Sequence, residues 1–403
     1  LSEYNIPLEK EKYFFEYKNR HYIASSEFSK IPGSPIAYWA SDRVREIFQK
    51  ENKLKEMAEP RQGMATSDNN RFLRKWFEVS IVNLGLGFED KITAKNSGLK
   101  WFPYNKGGEY RKWYGNNEYI VNWKNDGQEI NDFEKSVVRN PSYYFKEGLT
   151  WSSLTDGAPS FRYSPKGFLF DSKGPVCFPF YGNAIYYLLG YLNSCFTKIM
   201  LEFIAPTLDF NQGPIGNIPI KIVSKDVVEL ISRKCCLISK ADWDSFETSW
   251  NFKRHPLLNH KHDSGLLLDS FEKFQNHAEE MFNQLKANEE EINRIFINAY
   301  NLQNEMTPEI EEKDVTIRKA NKERDIKSFI SYAIGCMMGR YSLDKEGLVF
   351  AGGEFNKADY KTYDVDDDGI IPVLGDTWFN DDIVARFIEF VRITFGEKNL
   401  TQN

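Results

Sequence analysis

Leu188-Leu189-Gly190-Tyr191-Leu192-Asn193-Ser194, followed by Gly216-Asn217-Ile218-Pro219-Ile220-Lys221, marks where the texture of this chain changes. Around the first piece, Ile185, Leu188, Leu189, Leu192, Phe196, Ile199 and Met200 recur at steps of three and four. This spacing predicts one helix from about Asn183 to Phe203. The stretch Asn211–Ile220 is too rich in Gly, Pro and Asn to continue it and reads as a turn-rich exit. Upstream, short runs such as Tyr119-Ile120-Val121-Asn122-Trp123 and Gly167-Phe168-Leu169-Phe170 sit among Gly, Pro and aromatics, which predicts mixed α/β structure with many loops. Downstream, Asp226–Ser239 and Asp269–Leu302 have helical period and dense charge. Phe271, Phe274, Ala278, Phe282, Leu285, Ile292, Ile295 and Ala299 form the stripe of the second. Further helices are expected over Asp325–Tyr341 and Asp381–Phe395, with Asp381 and Asp382 suited to the first turn of the latter. The expected fold class is an α/β (α+β) domain over residues 1–221 followed by a mainly α-helical C-terminal domain. The latter divides into a helical part, 222–345, and an acidic loop-rich segment with a final helix, 346–403.

The chain has 403 residues, of which 41% are hydrophobic and 27% charged, enough for two or three ordered domains. It opens on Leu1, which reads as a piece of something longer. No apolar run reaches the roughly 18 residues of a membrane helix, and no signal peptide is visible. Cys177, Cys195, Cys235, Cys236 and Cys336 have no metal spacing and read as reduced thiols of a cytoplasmic protein. The net charge of −6 argues against a uniformly basic DNA coat. Its distribution is uneven: Arg61–Lys124 holds eleven Lys/Arg against six Asp/Glu, whereas Tyr341 to the end holds six against thirteen. Such asymmetry fits one face for an anion and another for something else; the bland alternative is ordinary charge fluctuation.

Two stretches carry the anion signal. Lys100-Trp101-Phe102-Pro103-Tyr104-Asn105-Lys106-Gly107-Gly108-Glu109-Tyr110-Arg111-Lys112-Trp113-Tyr114, running on to Trp123 and Lys124, alternates rings with cations, amides and a Gly-Gly turn. Cations neutralise phosphate while rings stack on base or sugar. The bland alternative is a minor aromatic core with a solvated cationic rim. In Arg61–Trp76, a loop of small and amide residues is followed by Arg71, Arg74 and Lys75 at helix-like spacing. Such a loop offers N–H groups to an anion, and arginine clamps phosphate or reads guanine. Its alternative is a polar turn capping a helix.

Several motifs are decoys. Asp364, Asp366, Asp368 and Gly369 imitate a calcium loop, but the twelfth position is Gly375. His255, His260 and His262 lack partners for zinc. Gly85-Leu86-Gly87 lacks the third glycine and frame of a dinucleotide site, and Cys235-Cys236 reads as packing. There is no Asn/Asp-Pro-Pro-Tyr motif, no glycine-rich S-adenosylmethionine loop, no Walker sequence, no nuclease carboxylate–lysine centre and no Ser-His-Asp arrangement. No catalytic, metal or cofactor residues are expected, and the chain alone is not expected to perform chemistry. A complete enzyme of unknown type is correspondingly weakened.

Further pieces complete a family pattern: Lys30–Trp39, reading Lys30-Ile31-Pro32-Gly33-Ser34-Pro35-Ile36-Ala37-Tyr38-Trp39, Arg61–Trp76, Lys100–Gly108, Asp325–Asp344 and Asp381–Val391. With them the chain resembles the C-terminal half of the PglX family, the large adenine-specific DNA methyltransferases of type 1 BREX phage-defence systems. More widely, Leu188–Ser194 and Gly216–Ile220 are similar to the end of target-recognition domains in type I restriction specificity subunits. The resemblance implies that residues 1–221 form a target-recognition domain that reads double-stranded DNA. A separate N-terminal domain would then hold S-adenosylmethionine, flip an adenine and methylate N6. On this reading Arg71, Arg74, Lys106, Arg111 and Lys112 meet phosphate or guanine. Asn69, Asn70 and Asn105 read adenine edges, and Trp113 and Tyr114 pack on sugar or base. Partners are duplex DNA, the N-terminal methyltransferase domain and other BREX proteins, with no membrane. The competing class is a protein-interaction module that uses the acidic tail and charged helices to dock the catalytic domain or other defence components.

Overall fold

The computed structural model describes residues 11, 12, 15, 16 and 22–403 except 156, 208, 376 and 377. Part of the N-terminal stretch of the expected first domain, and Asp376 at the end of the acidic stretch, lie outside them. Helices α1 (Ser25–Phe28) and α2 (Asp42–Lys50) lead into strands β1 (Asn52–Lys53) and β2 (Ala58–Arg61). A one-turn helix α3 (Asn69–Phe72) runs directly into β3 (Leu73–Lys75), and α4 (Lys91–Asn96) precedes β4 (Trp101–Asn105). Then come β5 (Tyr119–Asn122), α5 (Lys124–Asn131), β6 (Gly148–Trp151), β7 (Phe161–Ser164), β8 (Leu169–Phe170) and β9 (Val176–Pro179).

Two four-stranded sheets result. One has the order β3-β5-β4-β8, antiparallel except for the parallel β4–β8 pair. Its central strand carries the β-branched Ile120 and Val121, both fully buried, with Val121 facing Leu73 on one side and Phe102 on the other. The second sheet, β2-β9-β6-β7, is antiparallel throughout.

The helix expected over Asn183–Phe203 is two helices, α6 (Ile185–Leu192) and α7 (Cys195–Ile204). Two polar side chains divide it. The Asn193 amide accepts from Phe161 N at 3.0 Å and donates to Phe161 O at 2.9 Å, tying the break to β7. Ser194 Oγ then accepts from Thr197 N at 3.3 Å and caps the second helix. The turn-rich exit contains a short helix, α8 (Gln212–Gly216), and ends as β10 (Pro219–Ile220), which pairs antiparallel with β1. Tyrosine hydroxyls pin this exit: Tyr187 donates to Lys221 O at 2.9 Å, Lys221 N donates to the Tyr300 hydroxyl at 2.8 Å, and Tyr191 donates to Pro219 O.

Every regular element described after β10 is helical: α9 (Lys225–Asp244), α10 (Pro256–Asn259), α11 (Leu267–Tyr300), α12 (Lys322–Met337) and α13 (Ile383–Phe395), besides short single turns. Asp382 caps α13, accepting from Ala385 N at 2.8 Å. Lys221 is therefore where strand content ends, but the main core does not end there. The largest cluster joins Val44, Leu188, Tyr191, Phe196, Val228, Leu285, Ile292 and Tyr300 with Trp113, Trp151 and Phe161. A Cβ on Gly190 would lie 2.2 Å from Ser232 Oγ, so α6 and α9 approach so closely that only glycine fits between them. A second cluster lies under the β3-β5-β4-β8 sheet, and a third gathers Phe329, Tyr332, Met337, Phe390 and Phe395 of α12 and α13. No helix among the described residues is long and apolar enough to cross a membrane.

Candidate nucleic-acid interface

The Arg61–Trp76 segment is fixed by its backbone. Met64 N donates to Phe170 O at 3.0 Å, and Ala65 exchanges two bonds of 2.9 Å with Val137. Asp68 accepts from Arg71 N at 3.0 Å and caps α3. The expected helical run of Arg71, Arg74 and Lys75 stops after one turn, because Leu73 extends to pair with Val121 of β5. Arg71 thus projects from a helical turn, while Arg74 and Lys75 are neighbours on a strand and face opposite sides of the sheet.

The two stretches singled out in the sequence meet here. Lys106 leaves β4 beside Asn69, its Nζ 3.3 Å from Asn69 Oδ1, which also accepts from Thr66 Oγ1 at 3.1 Å. Asp171, 1% exposed, clamps Lys106 at 2.6 Å and takes the Tyr104 hydroxyl at 2.8 Å and Lys173 N at 2.7 Å. The Gly107-Gly108 pair makes this possible. Gly107 has φ +91°, and its Cβ would meet Lys173 O at 3.0 Å.

Further cations of the same two stretches lie on rings. Arg71 is exposed, donates from Nε to Glu129 Oε1 at 2.9 Å and lies over the Phe72 and Phe133 rings. The Arg71 hydrogen bond holds the Glu129 carboxyl below the usual range against its slight burial, with help from Asn122 and Lys100. Arg74 bonds Asn70 O and Leu73 O at 2.6 Å, and its guanidinium lies 5.5 Å from the Trp101 ring centroid. Lys100 lies 5.2 Å from the same ring. Lys124 is close by, since Trp123 N donates to Lys100 O at 2.9 Å. Among the described residues no carboxylate lies within 4.0 Å of Arg74, Lys100 or Lys124. Asn69 and Asn70 are both exposed.

The other expected contact residues lie elsewhere. Asn105 is 4% exposed, and its amide donates to Ser164 Oγ at 2.8 Å, stitching β4 to β7. Arg111, Lys112, Trp113 and Tyr114 are all below 10% exposed. Trp113 N donates to Phe161 O and Tyr163 N to Trp113 O, both at 2.8 Å, so this loop is sewn along β7. Its other side meets the helices. Arg111 pairs with Asp242 of α9 at 2.6 Å, and Lys112 with Glu289 of α11 at 2.5 Å. Trp113 Nε1 donates to Glu289 at 2.6 Å. Burial alone would pull the Lys112 ammonium down in pKa. Glu289, with Tyr110 behind it, more than offsets that and raises it. Buried charges need such partners, because an isolated one costs several kcal/mol. These four residues fasten the strand-rich part to the helices, whereas Asn69, Asn70, Arg71, Arg74 and Lys106 lie together away from that joint.

Lys100, Lys124, Thr66 and Asp171 were not among the expected contact residues. The first three lay inside the stretches already marked. Asp171 had no local signal, since it acts on Lys106 from 65 positions away. Among the described residues no group of three or more His, Cys, Asp or Glu could hold a metal ion.

No protein-family model matches the chain. It is 44% identical over 393 residues to the adenine-specific methyltransferase PglX of Lacticaseibacillus casei (strain Zhang). It is 39% identical over 404 residues to the adenine-specific methyltransferase BrxX of Escherichia coli O9:H4 (strain HS). Each match takes in 94% of this chain and 32% of the relative, so the chain spans about a third of the length of the curated relatives it matches. Over nearly all of its own length, the chain therefore matches a third of the adenine-specific methyltransferases PglX and BrxX.

Proposed function

We propose that this chain is the DNA sequence-recognition portion of a site-specific N6-adenine DNA methyltransferase acting in BREX bacteriophage defence. The observation that carries this reading is the meeting of two separate stretches in one group of amides and cations: exposed Asn69, Asn70 and Arg71 with half-buried Arg74 and Lys106, and exposed Lys100 and Lys124 at the ends of β4 and β5. Cations there neutralise phosphates and fix the register of the duplex, while amides reach base edges. Arg111, Lys112, Trp113 and Tyr114 act at one remove, by holding the strand-rich part against the helices, and Asn105 by joining β4 to β7. Residues 1–221 supply the recognition surface and 222–403 its helical support.

Methyl transfer belongs to the remainder of the longer enzyme, with S-adenosylmethionine as donor. This face does not suit that cofactor, because its exposed cations oppose a sulfonium centre. The chain's own part is to bind and orient the duplex so that the target adenine reaches the catalytic portion.

The test uses the full-length enzyme and duplex DNA over a series of salt concentrations. Arg71→Ala, Arg74→Ala and Lys100→Ala should each weaken binding and lower the salt slope by about 0.9 for every phosphate no longer neutralised. An unchanged slope in all three would sink the assignment.

A second role is favoured by the segment 364–382. It exposes Ile370, Val373, Trp378 and Phe379 beside Asp364, Asp366, Asp367 and Asp368. Apolar groups rimmed by charge suit a protein interface. A Trp378→Ala, Phe379→Ala double variant that methylates DNA normally but no longer associates with other BREX proteins would support it.

A further inference from the structure

We propose that Asn69 reads DNA as a hydrogen-bond donor only, so that it selects a base edge made of acceptors, guanine above all. This rests on the DNA-recognition reading and assigns one residue a definite base class. An ammonium has three N–H groups and no acceptor, so the Asn69 amide atom 3.3 Å from Lys106 Nζ is the oxygen. That oxygen also accepts from Thr66 Oγ1 at 3.1 Å. Both lone pairs are then engaged.

Neither donor is free to turn away. Thr66 is 2% exposed, and Lys106 is clamped at 2.6 Å by Asp171, itself 1% exposed and held by Tyr104. The other end of the amide differs. Asn69 is exposed, and its Nδ2 makes no hydrogen bond among the described residues.

An asparagine that reads adenine needs both ends, accepting from N6–H and donating to N7. Here the accepting end is taken, and an adenine N6 amino group would meet N–H donors. The two Nδ2 hydrogens instead suit O6 and N7 of guanine. Of the amides expected to read adenine, Asn69 is therefore reassigned. The exposed Asn70 accepts from Arg74 at its backbone carbonyl, and its side-chain amide makes no hydrogen bond among the described residues, so both ends stand open to a base.

The experiment binds the full-length enzyme to a pool of duplexes with a randomised block and sequences the bound fraction. The wild type should enrich guanine at one position that becomes indifferent in Asn69→Ala while the other positions hold. Thr66→Val frees one lone pair of Asn69 Oδ1 without touching the Lys106–Asp171 pair, and adenine should then be admitted at that position. In a selected duplex, 7-deazaguanine there should weaken wild-type binding roughly 5- to 150-fold and leave Asn69→Ala unchanged. If Thr66→Val does not fold, judged by its melting curve, the Asn69→Ala and 7-deazaguanine arms decide alone. An Asn69→Ala profile identical to wild type, or an Asn69-dependent position that prefers adenine, overturns the donor assignment and leaves DNA recognition standing. A wild type that enriches no position overturns the recognition reading itself.

Discussion

Glu289 is 3% exposed and receives both Lys112 Nζ and Trp113 Nε1. Removing its charge strands a buried ammonium, so Glu289→Gln should cost about 3–5 kcal/mol in denaturant unfolding. Replacing both partners, Lys112→Met with Glu289→Leu, should recover most of that stability. A cost below about 1 kcal/mol for Glu289→Gln would mean the pair is wet. Because the Lys112 pKa is raised in the fold, its contribution is fully present below the unfolded value, about 10.4, and is lost only as pH rises through the higher folded one. His255 behaves oppositely. Burial pushes it down to about 3, and its ring nitrogen accepts from Leu257 N at 3.3 Å at the start of α10. The unfolded chain binds a proton there below about pH 6.5 and the folded chain does not, so stability should fall between about 6.5 and 3, by at most about 1.4 kcal/mol per pH unit. His255→Asn keeps a capping acceptor and should flatten that part of the stability–pH curve. A curve with the same slope would show that His255 does not stay neutral.

At the scale of elements, the packing of α6 on α9 separates two effects of opposite sign. Alanine is the better helix former by about 1 kcal/mol, yet at Gly190 its methyl would collide with Ser232. Overpacking costs about 1–3 kcal/mol, so Gly190→Ala should be destabilising, and a rise in melting temperature would refute the close approach. The break between α6 and α7 makes a similar point. Periodicity marked 183–203 as one apolar stripe, which is correct for the face that is buried. It did not reveal the break, because Asn193 leaves the helix to serve the Phe161 backbone, 32 residues away. The helices after Lys221 were legible to within a few residues, since their stripes and the Asp382 cap are local features.

Across the whole molecule, charge pairing decides which cations are available to a ligand. Lys106, Arg111 and Lys112 look alike in sequence: each is a cation among rings. Lys106 pairs with Asp171, 65 positions away, yet stays half-buried beside an exposed amide, while Arg111 and Lys112 pair with Asp242 and Glu289, 131 and 177 positions away, and are buried. Asp242 also takes Arg318 of the segment before α12, with the Arg318 backbone N at 3.1 Å. Asp242→Asn should therefore loosen the strand-rich part from the helices as well as lower stability. Hydrogen exchange of the 109–117 loop should rise with it, and unchanged protection there would argue that the joint rests on apolar packing alone.

The order of textures, the principal helices, the end of strand content near Lys221 and the two stretches rich in amides and cations are legible in the residues alone. These follow from hydrophobic period, capping residues and turn formers, which act between near neighbours. Long-range packing settles the rest: one core runs across Lys221, Asn69 and Lys106 meet, and Arg111, Lys112, Trp113 and Tyr114 face inward. A buried charge takes whatever carboxylate the fold brings to it, and that partner is set by packing between distant segments.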